Sequence, residues 1–173
     1  ELYFSDVFAS RRVPDDLKED PVLHGECLSG AMYEEDFRRL LSGLGCPDFR
    51  VVTRRRLSIG SPEIQKMVGL ITFDSVTVRA FKLEQLEDRC EDYGQSATYL
   101  GTCQEFPHAF ELDPGHHFET GRPALVCGNS AAMVENTRFA KHFKVTGDRS
   151  RHFGLFPCGP EPLLHPNTSG ACC

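Results

Sequence analysis

One run of residues limits the fold more than any other. From Ile71 to Leu83, Val76, Val78 and Ala80 alternate with Thr77, Arg79 and Phe81. A period of two sends successive side chains to opposite faces, so this run is a strand. Ahead of it, Leu2, Tyr3, Phe4 and Val7 make a near-continuous apolar strand, the composition expected of a parallel strand covered on both faces. Pro14-Asp15-Asp16 suits a helix start. Leu28, Ala31 and Met32 share one helical face and Phe37, Leu40, Leu41 and Leu44 another. Two consecutive helices are therefore expected, the second closed by Gly45 in a left-handed cap. Phe49 to Ile59 reads as a strand. Ser61-Pro62-Glu63 then supplies an N-cap, a proline at the first helical position and an early acid, for a short helix through Val68. The order strand, helices, strand, short helix, strand fits the closing part of an α/β sheet.

The character changes at 84–96, where Glu84, Glu87, Asp88, Glu91 and Asp92 cluster; this stretch is expected to link two units. Residues 1–83 form the first. Residues 97–158 form a small α+β unit, with strands at Ala109 to Leu112 and His116 to Phe118 around the turn Asp113-Pro114-Gly115. A further strand runs from Ala124 to Cys127, and a helix is capped by Asn129 or Ser130. Residues 159–173, rich in proline and ending in Cys172-Cys173, are expected to be a flexible tail. A chain that opens inside a strand without methionine is expected to be part of something longer.

Net charge is −6, which argues against a nucleic-acid partner, since binding phosphates needs a basic face. Arg54-Arg55-Arg56 is read as a solvated strand face. No apolar run approaches the ~20 residues needed to span a bilayer, so no membrane role is expected. Eight cysteines are many, yet the helix and strand patterns are unlike a disulfide scaffold, and no zinc-type pair with two-residue spacing repeats. The thiols are expected to be reduced, as in a cytoplasmic protein. Cys46, Cys90, Cys103, Cys127 and Cys158 show no ligand spacing and are read as packing or surface thiols. His116 and His117 are neighbours on a strand and point to opposite faces, so they are read as turn decoration rather than one metal site.

The opening Glu-Leu-Tyr-Phe-Ser-Asp-Val and the stretch Val22-Leu23-His24-Gly25-Glu26-Cys27-Leu28-Ser29-Gly30-Ala31 resemble the arsenite S-adenosylmethionine methyltransferases. The resemblance continues through Asn136-Thr137-Arg138-Phe139-Ala140-Lys141-His142-Phe143, similar to the family's Asn-Ser-Arg-Phe-Ala segment. It implies that residues 1–83 are the C-terminal third of a class I (Rossmann-like) methyltransferase sheet, followed by the family's small C-terminal α+β domain. It also implies that S-adenosyl-L-methionine is bound by an N-terminal part not present here, along with the other arsenic-binding cysteines. This chain by itself is then expected to be inactive. His24 and Glu34 stand where members often carry aromatic residues.

Among the arsenic-binding thiols of the family, the resemblance leaves Cys27 in this chain. Trivalent arsenic is thiophilic, and thiolates suit soft centres. A helix pattern beginning at Cys27 would favour its ionised form through backbone N–H groups. Glu26 is the candidate acceptor for the thiol proton, and Cys172-Cys173 a candidate capture arm for trivalent arsenicals, free or as thiol conjugates. A thiol reductant of the thioredoxin or glutathione kind is expected for turnover. The competing reading is a cysteine-based protein that sequesters soft metals or metalloids without catalysis. A third is a structural domain with no chemistry of its own.

Overall fold

The computed structural model describes residues 1–25 and 27–158. The first unit comprises β1 (Leu2–Ala9), α1 (Asp15–Lys18), α2 (Pro21–Gly25), β2 (Met32–Tyr33), α3 (Glu34–Gly43), β3 (Phe49–Arg56), α4 (Pro62–Val68) and β4 (Phe73–Ala80). Its strands form one sheet in the order β2-β1-β4-β3. β4 runs antiparallel to β1 from Leu2↔Ala80 to Ala9↔Phe73, and antiparallel to β3 on its other side. The result is a mixed α/β sheet with a reversed strand, an arrangement common in large α/β folds. β1 thus departs from the expectation of a parallel strand covered on both faces. Among the described residues its one parallel partner is β2, through Phe8↔Met32 and Ala9↔Tyr33. Leu2 and Tyr3 are 42% and 52% exposed.

The alternation in β4 does what its period requires. Val76, Val78 and Ala80 are buried against Phe8 and against Phe37 and Leu41 of α3. Phe37 lies 5.0 Å from Phe8 and 5.6 Å from Phe49 between ring centroids, and burying such a ring is worth about 1.5–3 kcal/mol. α3 closes as its sequence indicates. Gly45 has φ +84°, its N–H bonds to the Ser42 carbonyl and the Cys46 N–H bonds back to the Leu41 carbonyl. This reciprocal pair satisfies carbonyls that the helix end leaves free. The expected helix at 28–32 is absent. Leu28 and Ala31 are buried with Leu23, Val13 and Phe73, but from turns, and three-residue spacing of apolar side chains serves a compact turn as well as a helix.

α4 starts at Ser61, whose Oγ accepts the Ile64 N–H at 3.3 Å. Ser61→Ala should cost about 1 kcal/mol, read as a lower urea midpoint with unchanged slope. An unmoved midpoint would mean that the hydroxyl serves only its 2.7 Å bond to Glu63.

The second unit comprises β5 (Glu91–Asp92), β6 (Gln95–Tyr99), β7 (Ala109–Asp113), β8 (His116–Glu119), β9 (Pro123–Val126), α5 (Gly128–Glu135), a 3-10 turn (Ala140–His142), β10 (Phe143–Thr146) and β11 (Gly154–Leu155). A three-stranded sheet β10-β6-β9 is joined by a β7–β8 hairpin and a short β11–β5 pair. Tyr99, Phe110, Phe118, Phe139 and Phe143 fill its core, with Phe118 and Phe143 5.1 Å apart. The segment expected to be a linker, 84–96, instead carries β5 and the start of β6, and Leu86 is buried in the same core. Of its acidic residues Glu84 and Asp88 are exposed, while Glu87, Glu91 and Asp92 are half-buried.

Two arginines tie the units together. Arg50 of β3 and Arg79 of β4 are direct cross-strand partners, both 8% exposed. Like charges so placed repel. Here each is drawn away by groups of the second unit: Arg79 Nη1 donates to the Leu112 carbonyl at 2.6 Å, and Arg50 Nη1 reaches Asp113 at 3.3 Å. Phe81, just beyond β4, packs into the second core. Among the described residues no helix is long and apolar enough to cross a membrane.

Candidate functional site

Cys27 is presented by a tight turn after α2. Asp20 Oδ1 accepts the N–H groups of Val22 and Leu23 at 2.9 and 3.0 Å, fixing the start of that short helix. Leu23 is 1% exposed, and its carbonyl receives the N–H groups of both Leu28 and Ser29, at 2.9 and 3.2 Å. The Cys27 N–H bonds to the His24 carbonyl at 3.1 Å. Between these anchors Cys27 takes φ +60°, alone among the described non-glycine residues in being left-handed, and its side chain stays exposed. Backbone held this way costs of order 1–3 kcal/mol and is found where surroundings over-determine it, often at functional sites.

Cys27 therefore follows a helix rather than beginning one. The expected help of helix N–H groups for its thiolate is withdrawn, because the end of a helix presents carbonyls. Glu26, Cys172 and Cys173 lie outside the described residues. Glu34, one of the departures from the family pattern, accepts from Arg54 at 2.6 Å, while Arg54 and Arg56 flank Asp74. Two of the three arginines of that run, Arg54 and Arg56, are thus paired with acids, and all three are exposed.

The structure brings together three cysteines whose sequence separations gave no sign of a ligand set. The sulfur atoms of Cys90, Cys127 and Cys158 all lie within 4.8 Å of one another. Local folding explains each placement. Cys127, rather than Asn129 or Ser130, caps α5: its Sγ accepts the Ser130 N–H at 3.4 Å. The β11–β5 pairing returns the chain to Cys90, whose carbonyl accepts the Phe156 N–H at 2.8 Å, two residues before Cys158. Cys127 is buried, Cys90 half-buried and Cys158 exposed. Hydrogen bonds from the Cys158 and Cys90 thiols hold the Cys127 thiol well below its ordinary range. The same bonding, led by Cys127, pushes Cys90 up to about 11 and raises Cys158.

A buried polar network backs this cluster. Arg50 Nη2 donates to Asp48 at 2.7 Å and to Ser130 at 3.2 Å, and lies 3.9 Å from Cys127 Sγ. His116, read from sequence as turn decoration, points inward: Nδ1 meets Asp113 at 2.8 Å and Nε2 meets Ser130 Oγ at 2.8 Å. Burial alone would lower the His116 pKa, but its bond to Asp113, with the Cys127 sulfur beside it, raises it overall. His117 faces outward, as alternation requires. A groove of about 670 Å³ at the junction of the units is lined by Arg79, Arg138, Phe110 and Phe139, and among cysteines by Cys103 rather than by Cys27 or the trio. The segment 136–143 is architectural: Thr137 Oγ1 donates to the Met133 carbonyl at 2.6 Å, and Phe139 is 5% exposed.

No family model matches the chain. The chain is 51% identical over 160 residues to a protein named arsenite methyltransferase from Aquipseudomonas alcaligenes, covering 92% of this chain and 46% of that one. It is 37% identical over 149 residues to the arsenite methyltransferase of Rattus norvegicus, covering 84% of this chain and 39% of the relative. The crystal structure of CrArsM, an arsenic(III) S-adenosylmethionine methyltransferase from Chlamydomonas reinhardtii, superposes with a TM-score of 0.84 at 45% identity, over 89% of this chain and 52% of that one. The chain thus spans less than half the length of these two curated relatives. The mixed α/β sheet joined to a small β-rich unit is an architecture shared with that methyltransferase structure. The chain belongs to the arsenite methyltransferases over the matched region.

Proposed function

We propose that this chain supplies Cys27 as one corner of the thiol cage that holds trivalent arsenic in an S-adenosyl-L-methionine-dependent arsenite methyltransferase. The observation that carries the reading is the turn itself: an exposed cysteine pinned at φ +60° within a segment shared with the family. Each As–S bond forms as a thiol proton leaves with an arsenic-bound hydroxyl as water, so the metalloid keeps its oxidation state. Holding the arsenical in one orientation is the protein's main contribution, and orientation of reacting partners can remove ~7–11 kcal/mol of a barrier. S-adenosyl-L-methionine supplies an electrophilic methyl group. The residues of this chain include no glycine-rich donor loop, so its share of the reaction is to grip and aim the arsenical. Alone it should neither bind the donor nor turn over. Reduced thiols are required throughout, which suits a thioredoxin- or glutathione-type reductant and a cytoplasmic setting.

The test joins this chain to the remaining N-terminal portion of the Aquipseudomonas alcaligenes relative. With labelled donor, arsenite and a thiol reductant, that protein should release methylated arsenicals. A folded chimera that binds the donor and retains arsenite but yields no methylated product would overturn the reading. Tight uptake of several metal equivalents by the isolated chain, without methylation in the chimera, would favour sequestration instead.

A further inference from the structure

We propose that Cys90, Cys127 and Cys158 form a second thiol site, on the C-terminal unit and separate from Cys27, that binds one trivalent arsenical through three sulfur atoms.

Three observations support it independently of the methylation chemistry. The sulfurs already lie within 4.8 Å of one another, although they come from three distant segments of the chain. Metal–thiolate bonds of about 2.3 Å place sulfur atoms about 3.8 Å apart around one centre, so side-chain rotation closes the remaining gap. The site is also graded in access: Cys127 is buried at the base while Cys158 is exposed at the mouth. A ligand can therefore be taken up at Cys158 and passed inward by exchange. Finally, the surroundings are fixed before any ligand arrives, because Arg50, Ser130 and His116 are locked by their own hydrogen bonds.

The same surroundings choose the ligand. Structural zinc closes its shell with four protein donors. The imidazole beside the site, His116, has both its ring nitrogens engaged, one with Asp113 and one with Ser130. Three thiolates, by contrast, complete the coordination of trivalent arsenic. Charge points the same way. Arg50 is already matched by Asp48 and Asp113. A neutral arsenic trithiolate adds no net charge to this partly buried place, whereas zinc held by three thiolates leaves an excess negative charge that burial penalises. Binding is balanced without an oxidant: from arsenous acid, three As–O bonds break, three As–S bonds form, and three thiol protons leave with three hydroxyls as water.

The experiment uses the chain with Cys27, Cys172 and Cys173 replaced by serine, so that the site of the proposed function cannot contribute. Reduced protein is equilibrated with arsenite, passed through a sizing column and analysed for bound arsenic, and its X-ray absorption gives the number of sulfur neighbours. One equivalent with three sulfurs is expected. Adding Cys158→Ser, which alters an exposed side chain, should weaken retention at least 100-fold and leave two sulfurs. Cys127→Ser, which keeps an oxygen to cap α5, should do the same, with circular dichroism confirming the fold. Arsenic retained undiminished in these variants would overturn the proposal. So would zinc that copurifies at one equivalent and is not displaced by arsenite, or a disulfide between two of the three that persists under reductant. Because Cys27 is absent throughout, failure here leaves its role intact, and failure of the methylation test leaves this site intact.

Discussion

With serine at position 27, the chimera described above should lose arsenite methylation by at least ~100-fold while binding S-adenosyl-L-methionine as before. The expected loss is large because the substitution attacks orientation, the term worth ~7–11 kcal/mol, rather than a peripheral contact. An oxygen donor of the same shape does not hold a thiophilic centre as sulfur does. Serine also fits the turn, since the bonds that set it run through backbone groups of Leu23, His24, Cys27, Leu28 and Ser29. Lost activity should therefore come with an unchanged melting temperature. Cys27→Gly sharpens the test. Glycine adopts φ +60° without a Cβ penalty, so this variant should be equally inactive yet more stable, by about 1 kcal/mol. Wild-type rates from either variant would remove Cys27 from the arsenic site.

Arg50→Met should destabilise the chain by about 3–5 kcal/mol, the usual result of removing one partner from a buried ion pair. Arg50 is held between Asp48 at 2.7 Å and Asp113 at 3.3 Å, and their side chains are 14% and 7% exposed. Methionine fills the space but leaves Asp48 without its cation and Asp113 with only His116 beside it. Arg50→Lys should recover little, because one ammonium cannot reproduce a planar fork that also reaches Ser130. Adding Asp113→Asn to Arg50→Met should restore part of the loss by removing one stranded charge. Urea unfolding of the four proteins reads this directly. Equal midpoints for the arginine and methionine forms would show that the network is dispensable.

What the sequence made legible follows from how local each signal is. The strand β4, the Gly45 cap and the Ser61 start all depend on neighbours within a few residues, and all three stand where the residues place them. The pairing of β1 was not legible, because a continuous apolar run suits any strand and does not say which direction its neighbour takes. Cys27 could be found only through its resemblance to a family, and its left-handed backbone is invisible in composition. The trio was missed for a different reason. Ligand motifs are recognised by short spacing, whereas Cys90, Cys127 and Cys158 meet only because β11 returns to β5 and α5 begins beside them. Arg50 and Arg79 were missed likewise: they occupy mixed-face positions of their strands, and only the second unit makes that face an interior.

The cross-strand arginines also bear on how this chain has been free to change. Neither unit carries a self-sufficient surface where they meet, for the sheet brings two cations only partly matched by its own Asp48 and Glu1, and the β-rich half adds a carboxylate for one and a carbonyl acceptor for the other. A swap of the second half for an unrelated module would leave each guanidinium only its partner from the sheet side, Asp48 for Arg50 and Glu1 for Arg79, so drift on one side has to be answered on the other. The two halves are thus bound to be inherited together, as a single piece.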